Sequence, residues 1–292
     1  MHVNRLLCHL PAQRIAAADI IHEAGETPMQ ARIFSKLAGF EAVAAYESPR
    51  AVAAAWISLL DQLAVQPSPD AVIHVHGLPV PATLPVHPWL TGATQYEIDQ
   101  FNCAGLFWGL DLAERLLRRK QANQVLLLVG DEMSAWPLVH RYLPGCTLMG
   151  DACVALLLDD EPGGLRLLPP RLARRNQHHQ GLYGTAEETQ AFYQTHDEMV
   201  ESLLADLDCQ AHDITLLPHN INSISWVQYS RRYGLPLTRI RRDLLPGIGH
   251  CYCADPLLLL RRWLDDAGRG EAVMLSVGFG AYGGACRVEG TA

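Results

Sequence analysis

Phe101-Asn102-Cys103-Ala104-Gly105-Leu106-Phe107-Trp108-Gly109-Leu110 is the stretch whose reading decides the fold. Upstream of Cys103, Tyr96 to Phe101 reads as a strand. Downstream, Leu106, Leu110, Ala113, Leu116 and Leu117 recur at helical spacing through Lys120. Cys103 therefore falls where a strand gives way to a helix, and Ala104 and Gly105 keep the space around it small. A thiol there meets unpaired backbone N–H groups and the positive end of a helix dipole, both of which favour thiolate. The position suits a nucleophile; it also suits a small buried cysteine that only packs.

Working outward, the same grammar recurs. Asp70-Ala-Val-Ile-His-Val-His76-Gly77 and Asp213-Ile-Thr-Leu-Leu-Pro-His219-Asn220 are both strands that end at a histidine. Cys103 precedes the buried strand Gln124 to Gly130, and His250 stands at a similar distance before the strand Ala272 to Gly278. A helix separates each from its strand. The spacing predicts an internal duplication, 1–165 and 166–292, with Cys103 and His250 as counterparts. Alternating strands and helices imply an α/β architecture with sites at the carboxyl ends of strands. Cys103, His219 and His250 all occupy such ends, and a pseudo-twofold axis would bring Cys103 and His250 together.

Between these landmarks, Val3 to Leu10, Ala152 to Leu158, Leu165 to Leu168 and Tyr282 to Val288 read as strands. Ala16 to Ala24, Pro28 to Leu37, Arg50 to Val65 (Ser48 as cap, Pro49 first), Ile224 to Tyr233 and a segment ending near Ala267 read as helices. Pro169 to Thr195 is polar and predicts a long loop in which His178 and His179 are solvated. Thr195 would then cap a helix running to Leu207.

Composition narrows the function classes. Of 292 residues, 49% are hydrophobic and 18% charged, with a formal net charge of −8. The basic clusters (Arg118-Arg119-Lys120, Arg174-Arg175, Arg231-Arg232, Arg241-Arg242) are dispersed, so no nucleic-acid surface is expected. No apolar run reaches membrane-spanning length and no stretch has signal-peptide form, so a cytoplasmic protein away from membranes is expected. Eight cysteines without a C-x-x-C read as reduced thiols rather than disulfides or a zinc site, and no metal is expected. His76 reads as a structural or interface residue.

Five ordered blocks carry a resemblance. Asn102-Cys103-Ala104-Gly105, Gly150-Asp151-Ala152-Cys153-Val154-Ala155-Leu156-Leu157-Leu158, Pro218-His219-Asn220-Ile221-Asn222, Gly249-His250-Cys251 and Gly278-Phe279-Gly280-Ala281-Tyr282-Gly283-Gly284-Ala285 together resemble the thiolase superfamily, in particular its ketoacyl-acyl-carrier-protein synthase III branch. The resemblance implies a layered α-β-α-β-α fold of two duplicated strand-helix halves. It assigns Cys103 as acyl-accepting nucleophile, His219 and Asn222 to the His-x-x-Asn block, and the backbone of Cys103 and Phe279 to an oxyanion hole. His250 stands where synthase III relatives have asparagine, giving a Cys-His-His set.

The resemblance thus implies an acyl-cysteine enzyme using thioesters of coenzyme A or of acyl-carrier-protein phosphopantetheine, with no bound cofactor, and working as a dimer. Decarboxylative condensation with a malonyl thioester, in specialised metabolism, is the leading expectation. Acyl transfer to an amine or hydroxyl, or a non-catalytic partner subunit, are the alternatives. Relatives clamp adenine with a Trp and an Arg; Ala31 to Gly39 holds no Trp, which points towards a carrier-tethered donor. Arg32, Lys36 and Arg141 are the candidate phosphate contacts.

Overall fold

A computed structural model describes residues 1–64, 66–78, 86–178, 185–207, 214–268 and 270–290. Expectations placed on Val65, on residues 179–184, on the thiol of Cys209 and on Asp213 lie outside the described residues. The first half of the chain runs β1 (His2–His9), β2 (Arg14–Ala16), α1 (Ala17–Glu23), α2 (Pro28–Ala38), β3 (Ala42–Ala44) and α3 (Pro49–Leu63). It continues through β4 (Ala71–Val75), β5 (Thr94–Ile98), α4 (Gly105–Arg118), β6 (Gln124–Asp131), β7 (Tyr142–Leu143), β8 (Thr147–Leu148) and β9 (Ala152–Asp159). The second half runs β10 (Leu165–Leu167), β11 (Arg171–Arg174), α5 (Ala186–Asp206), β12 (Thr215–Pro218) and α6 (Ser223–Tyr233). It closes with α7 (Leu245–Ile248), α8 (Asp255–Asp265), β13 (Glu271–Gly278) and β14 (Tyr282–Glu289).

The strands are ordered β12-β13-β14-β10-β1-β9-β6-β4-β5, with β11 also on β14. Each half repeats one pattern: a parallel pair (β4 with β6, β12 with β13) followed by an antiparallel partner (β9, β14). The counterpart of β5 is reduced to a single parallel bridge, Leu216 to Ile240. Two short pairings, β1 with β10 at His2 and Val3 and β10 with β14, join the two half-sheets.

Helices complete the layers. α3 packs outside on β1 and β9, and α5 packs outside on β11, β13 and β14. α4 touches β4 and β6 on one side and β14 and β11 on the other, and α8 touches β12, β13 and β1. The two middle helices are thus covered by sheet on both faces, which is why Leu106, Leu110, Leu257 and Leu260 are fully buried beside Leu127, Met274 and Cys286. Burying each such leucine contributes roughly 1.5–3 kcal/mol. The layered α-β-α-β-α arrangement expected from the sequence is the one observed.

Local rules explain most boundaries. Ser48 caps α3 by accepting from Ala51 N at 3.3 Å, with Pro49 at the first helical position. Two expected boundaries move. β5 ends at Ile98 rather than Phe101, because its partner β4 ends at Val75, which is paired with Ile98. The stretch from Pro169 is not one long loop: Arg171–Arg174 pairs with β14, and α5 begins at Ala186. Thr185, not Thr195, is its cap, in a reciprocal capping box with Glu188. Thr195 lies mid-helix, where its Oγ1 is 3.0 Å from His178 Nε2, so His178 is tied to the protein rather than solvated.

Candidate active site

Cys103 lies in a one-turn 3-10 segment, Asn102–Ala104, leading into α4. The same device opens α8: Tyr252–Ala254 forms a 3-10 turn and Asp255 starts the helix. Asn102 (φ 47°) and Tyr252 (φ 50°) both take the left-handed conformation at the head of their turns. The structural counterpart of Cys103 is therefore Cys253, not His250 as the spacing suggested. Chain length between turn and strand differs in the two halves, which shifted the sequence register. The two turns lock together, with Cys253 Sγ donating to Asn102 O at 2.9 Å.

His250 nevertheless reaches the thiol. Its main chain is strapped to the first half: His250 N donates to Leu148 O at 2.8 Å and Gly150 N donates to His250 O at 2.9 Å. That strap is anchored by a buried bidentate pair, Arg141 to Asp151 at 2.7 and 2.8 Å. Asp151 also accepts from Tyr46 N and Met133 N. From this platform His250 Nε2 stands 3.0 Å from Cys103 Sγ, with both residues buried.

Behind His250 is a residue that sequence reasoning missed. Asp255, fully buried at the first position of α8, places Oδ2 2.5 Å from His250 Nδ1. The carboxylate is held by Asn220 N at 2.6 Å, Cys251 N at 2.8 Å and Asn220 Nδ2 at 3.3 Å. The sulfur, imidazole and carboxylate form a Cys-His-Asp relay whose carboxylate fixes a proton on Nδ1. Burial opposes charge on His250, but the Cys103 sulfur and the Asp255 carboxylate outweigh it and raise its proton affinity well above the ordinary histidine value. A signal was present in the sequence: an Asp five residues after His250, directly followed by the apolar run Pro256 to Leu260, has no solvent to face.

His219, at the carboxyl end of β12, is fully buried, and neither ring nitrogen has a hydrogen-bond partner among the described residues. Its ring centroid lies 6.1 Å from that of His250 and 5.5 Å from that of His196, a second unanticipated histidine on α5. Burial, then His196 and His250, hold His219 well below the usual histidine range, so it is neutral. Two orphaned nitrogens in one buried ring are costly unless a ligand satisfies them.

Other expected residues land elsewhere. Asn222 caps α6, accepting from Ser225 N at 2.8 Å and donating to Cys146 O at 3.0 Å, so its side chain is committed to the protein rather than to a substrate. Arg141 is consumed by Asp151 and is no phosphate contact. Arg32 is exposed on α2, and it is not among the residues lining the neighbouring cleft of about 380 Å³. That cleft is walled by Ile33, Phe34, Leu37, Tyr142, Cys146 and Ile224. At Phe279, the carbonyl accepts from Asn102 Nδ2 at 2.7 Å. A Cβ on Gly278 would come within 3.1 Å of Cys103 N, so only glycine lets this segment approach the Cys103 backbone. Burial pushes Cys146 and Cys286 up to about 12, and Cys251 and Cys253 also rise well above the ordinary thiol value.

Comparisons with known proteins agree with this architecture. Residues 97–173 match the family model for 3-oxoacyl-[acyl-carrier-protein (ACP)] synthase III. Comparison with curated proteins gives no match. Among solved structures, ChlB3, described as an acyltransferase, is 20% identical with a TM-score of 0.78 over 99% of this chain and 97% of that one. The 3-oxoacyl-ACP synthase III of Aquifex aeolicus is 15% identical with a TM-score of 0.79, covering 99% of both chains. That of Pseudomonas aeruginosa is 18% identical with a TM-score of 0.74, over 100% of this chain and 98% of that one.

Proposed function

Starting from a chain with the thiolase-like fold of the synthase III structures and that family's signature over residues 97–173, we propose that the protein is an acyltransferase. In this reading it moves an acyl group through Cys103 to an amine or hydroxyl acceptor. The observation that carries this reading is Asp255 on His250 Nδ1. With a proton fixed there, neutral His250 offers a lone pair at Nε2. Decarboxylative condensation needs an N–H donor at that position to polarise the malonyl carbonyl. Acyl transfer needs a base there, and that is what the carboxylate provides.

In the first half-reaction Cys103 passes its thiol proton to His250 Nε2 and its sulfur attacks the thioester carbonyl; the donor's C–S bond breaks, and the departing thiolate takes that proton from Nε2. In the second, His250 accepts the acceptor's O–H or N–H proton as the new C–O or C–N bond forms. Cys103 then leaves as thiolate. The oxyanion falls to the N–H groups of Cys103 and Phe279, and His219, neutral and unpaired, donates to the acyl or acceptor oxygen. The absent adenine clamp and the committed Arg141 favour a donor tethered to a carrier protein over free coenzyme A. A dimer through β5 fits the same reading, since β5 ends the sheet with one edge unpaired among the described residues. A non-catalytic subunit would have no reason to keep the relay aligned.

The test is intact-protein mass spectrometry after incubation with acyl thioesters. An adduct on Cys103 that disappears on adding amines or alcohols, with malonyl thioester inert, is the expected result. Loss of the adduct with malonyl thioester and release of carbon dioxide would instead establish condensation. Absence of any adduct across donors would reject both.

A further inference from the structure

Away from Cys103, strand register brings together another set of donors. His74 lies on β4 and His76 directly follows its last residue, Val75; His76 N still donates to Ile98 O at 3.1 Å, so the extended pairing continues and the two side chains share one face of the sheet. Glu97 on β5 is the register partner of His74 and joins them. One donor atom from each of the three lies within 4.8 Å of the others, and the two imidazole centroids are 4.8 Å apart. Both histidines are buried, whereas Glu97 is exposed and leaves the cluster open to solvent on one side.

The surroundings prepare these groups for a cation. Asp131 Oδ1 accepts from Gly77 N and Leu78 N, both at 2.7 Å, and so fixes the turn. The Leu78 carbonyl is thereby held 2.7 Å from His76 Nδ1. With Nδ1–H donated to that carbonyl, Nε2 carries the lone pair, yet it faces a Glu97 oxygen at 3.0 Å. Lone pair against carboxylate is repulsive unless a proton or a metal ion lies between them. His74 has no hydrogen bond from either ring nitrogen to a described residue, although it is buried. A carbonyl-clamped imidazole, an unpartnered imidazole and a carboxylate match the donor set and outer hydrogen bonding of tetrahedral zinc-type sites.

We propose that His74, His76 and Glu97 bind a zinc-type divalent cation, with water as a fourth ligand. Metal–ligand bonds of about 2.0–2.1 Å place tetrahedral donors about 3.4 Å apart, so a rotation of Glu97 and a small shift of His74 close the site. Two imidazoles and one carboxylate select zinc, cobalt or nickel over calcium or magnesium. A Cβ on Gly77 would lie 3.2 Å from the Asn102 backbone, so the bound ion would brace β5 and β4 directly beside the nucleophile's turn.

Titrating tag-free, full-length protein with Co²⁺ and following its visible d–d absorption tests this. Saturation at one equivalent is expected, with Kd of about 1 μM or tighter and displacement by Zn²⁺. Cys103→Ala should bind equally well, with no thiolate charge-transfer band in wild type. Glu97→Gln, at an exposed position that leaves the fold intact, and His74→Asn should each weaken binding by more than about 100-fold. A wild type with no saturable cobalt spectrum, or one that both variants retain, would overturn the proposal and leave a plain His76–Glu97 ion pair.

Discussion

Replacing Asp255 with Asn tests the relay at its least exposed member. The amide has two orientations, and the structure penalises both. With its NH2 in place of Oδ2, it confronts Asn220 N and His250 Nδ1, both of which donate to Asp255 in the wild type. With its NH2 in place of Oδ1, it confronts Cys251 N. Either way one buried backbone N–H goes unpaired, a cost of about 1–3 kcal/mol in stability. In the first orientation His250 must move its proton to Nε2, which then points an N–H at sulfur and can accept nothing from the acceptor. Loss of a correctly held general base is worth about 10²–10⁴ in rate, and a tautomer error lies at the upper end. We expect a drop of about a thousandfold, roughly 4 kcal/mol of barrier, in acceptor-dependent release of the acyl group from Cys103. Single-turnover mass spectrometry of the preformed adduct reads this step, with thermal melting to verify folding. The double variant with His250→Ala should be no slower than His250→Ala alone, since the carboxylate acts only through the imidazole. Asp255→Asn within about threefold of wild type, or effects that add in the double variant, would refute the relay.

The same geometry sets four further outcomes. His250 has a raised proton affinity in the fold, so its bound proton stabilises the protein fully below about pH 6.5, and that stability is lost as pH rises through the raised value. The melting-temperature advantage of wild type over His250→Gln should therefore shrink with increasing pH; a constant difference would contradict the assignment. Asn222→Ala should cost about 1 kcal/mol or somewhat more through loss of the α6 cap, seen as a lowered denaturant midpoint, while the folded enzyme keeps its acylation rate. Arg141→Met strands Asp151 in the interior and should cost about 3–5 kcal/mol by denaturant titration, with much of the loss recovered by adding Asp151→Asn. Native alkylation with iodoacetamide should modify Cys103 well ahead of Cys146, Cys251 and Cys253, as peptide mapping would show.

The duplicated α/β plan and the place of Cys103 at a strand-to-helix turn were legible because they rest on local patterns: period-two strands, helical spacing of leucines, a thiol between them. Asp255 and the true counterpart of Cys103 were not. Two turns with different lengths of chain behind them look shifted by spacing alone, and only their shared left-handed residue and 3-10 geometry restore the match. Asn222 and Arg141 carried the chemistry of ligands in the sequence. Their partners, Cys146 O and Asp151, lie 76 and 10 residues away, and the second pairing depends on a hairpin whose strands have only two residues each. Thr195 reads as a cap because an amphipathic stretch follows it, whereas the helix begins with a polar turn in which Thr185 and Glu188 cap each other.

The seam between the halves has a kinetic meaning. Sulfur is supplied by residues translated early, and its base and carboxylate by residues translated some 150 positions later. On the proposed reading, a nascent or partly folded chain therefore carries Cys103 without its base, and acylation should wait until the second half has docked. In refolding, fast alkylation of Cys103 should return not with helix or sheet content but with the docking of one turn against the other, making this thiol a built-in reporter of assembly.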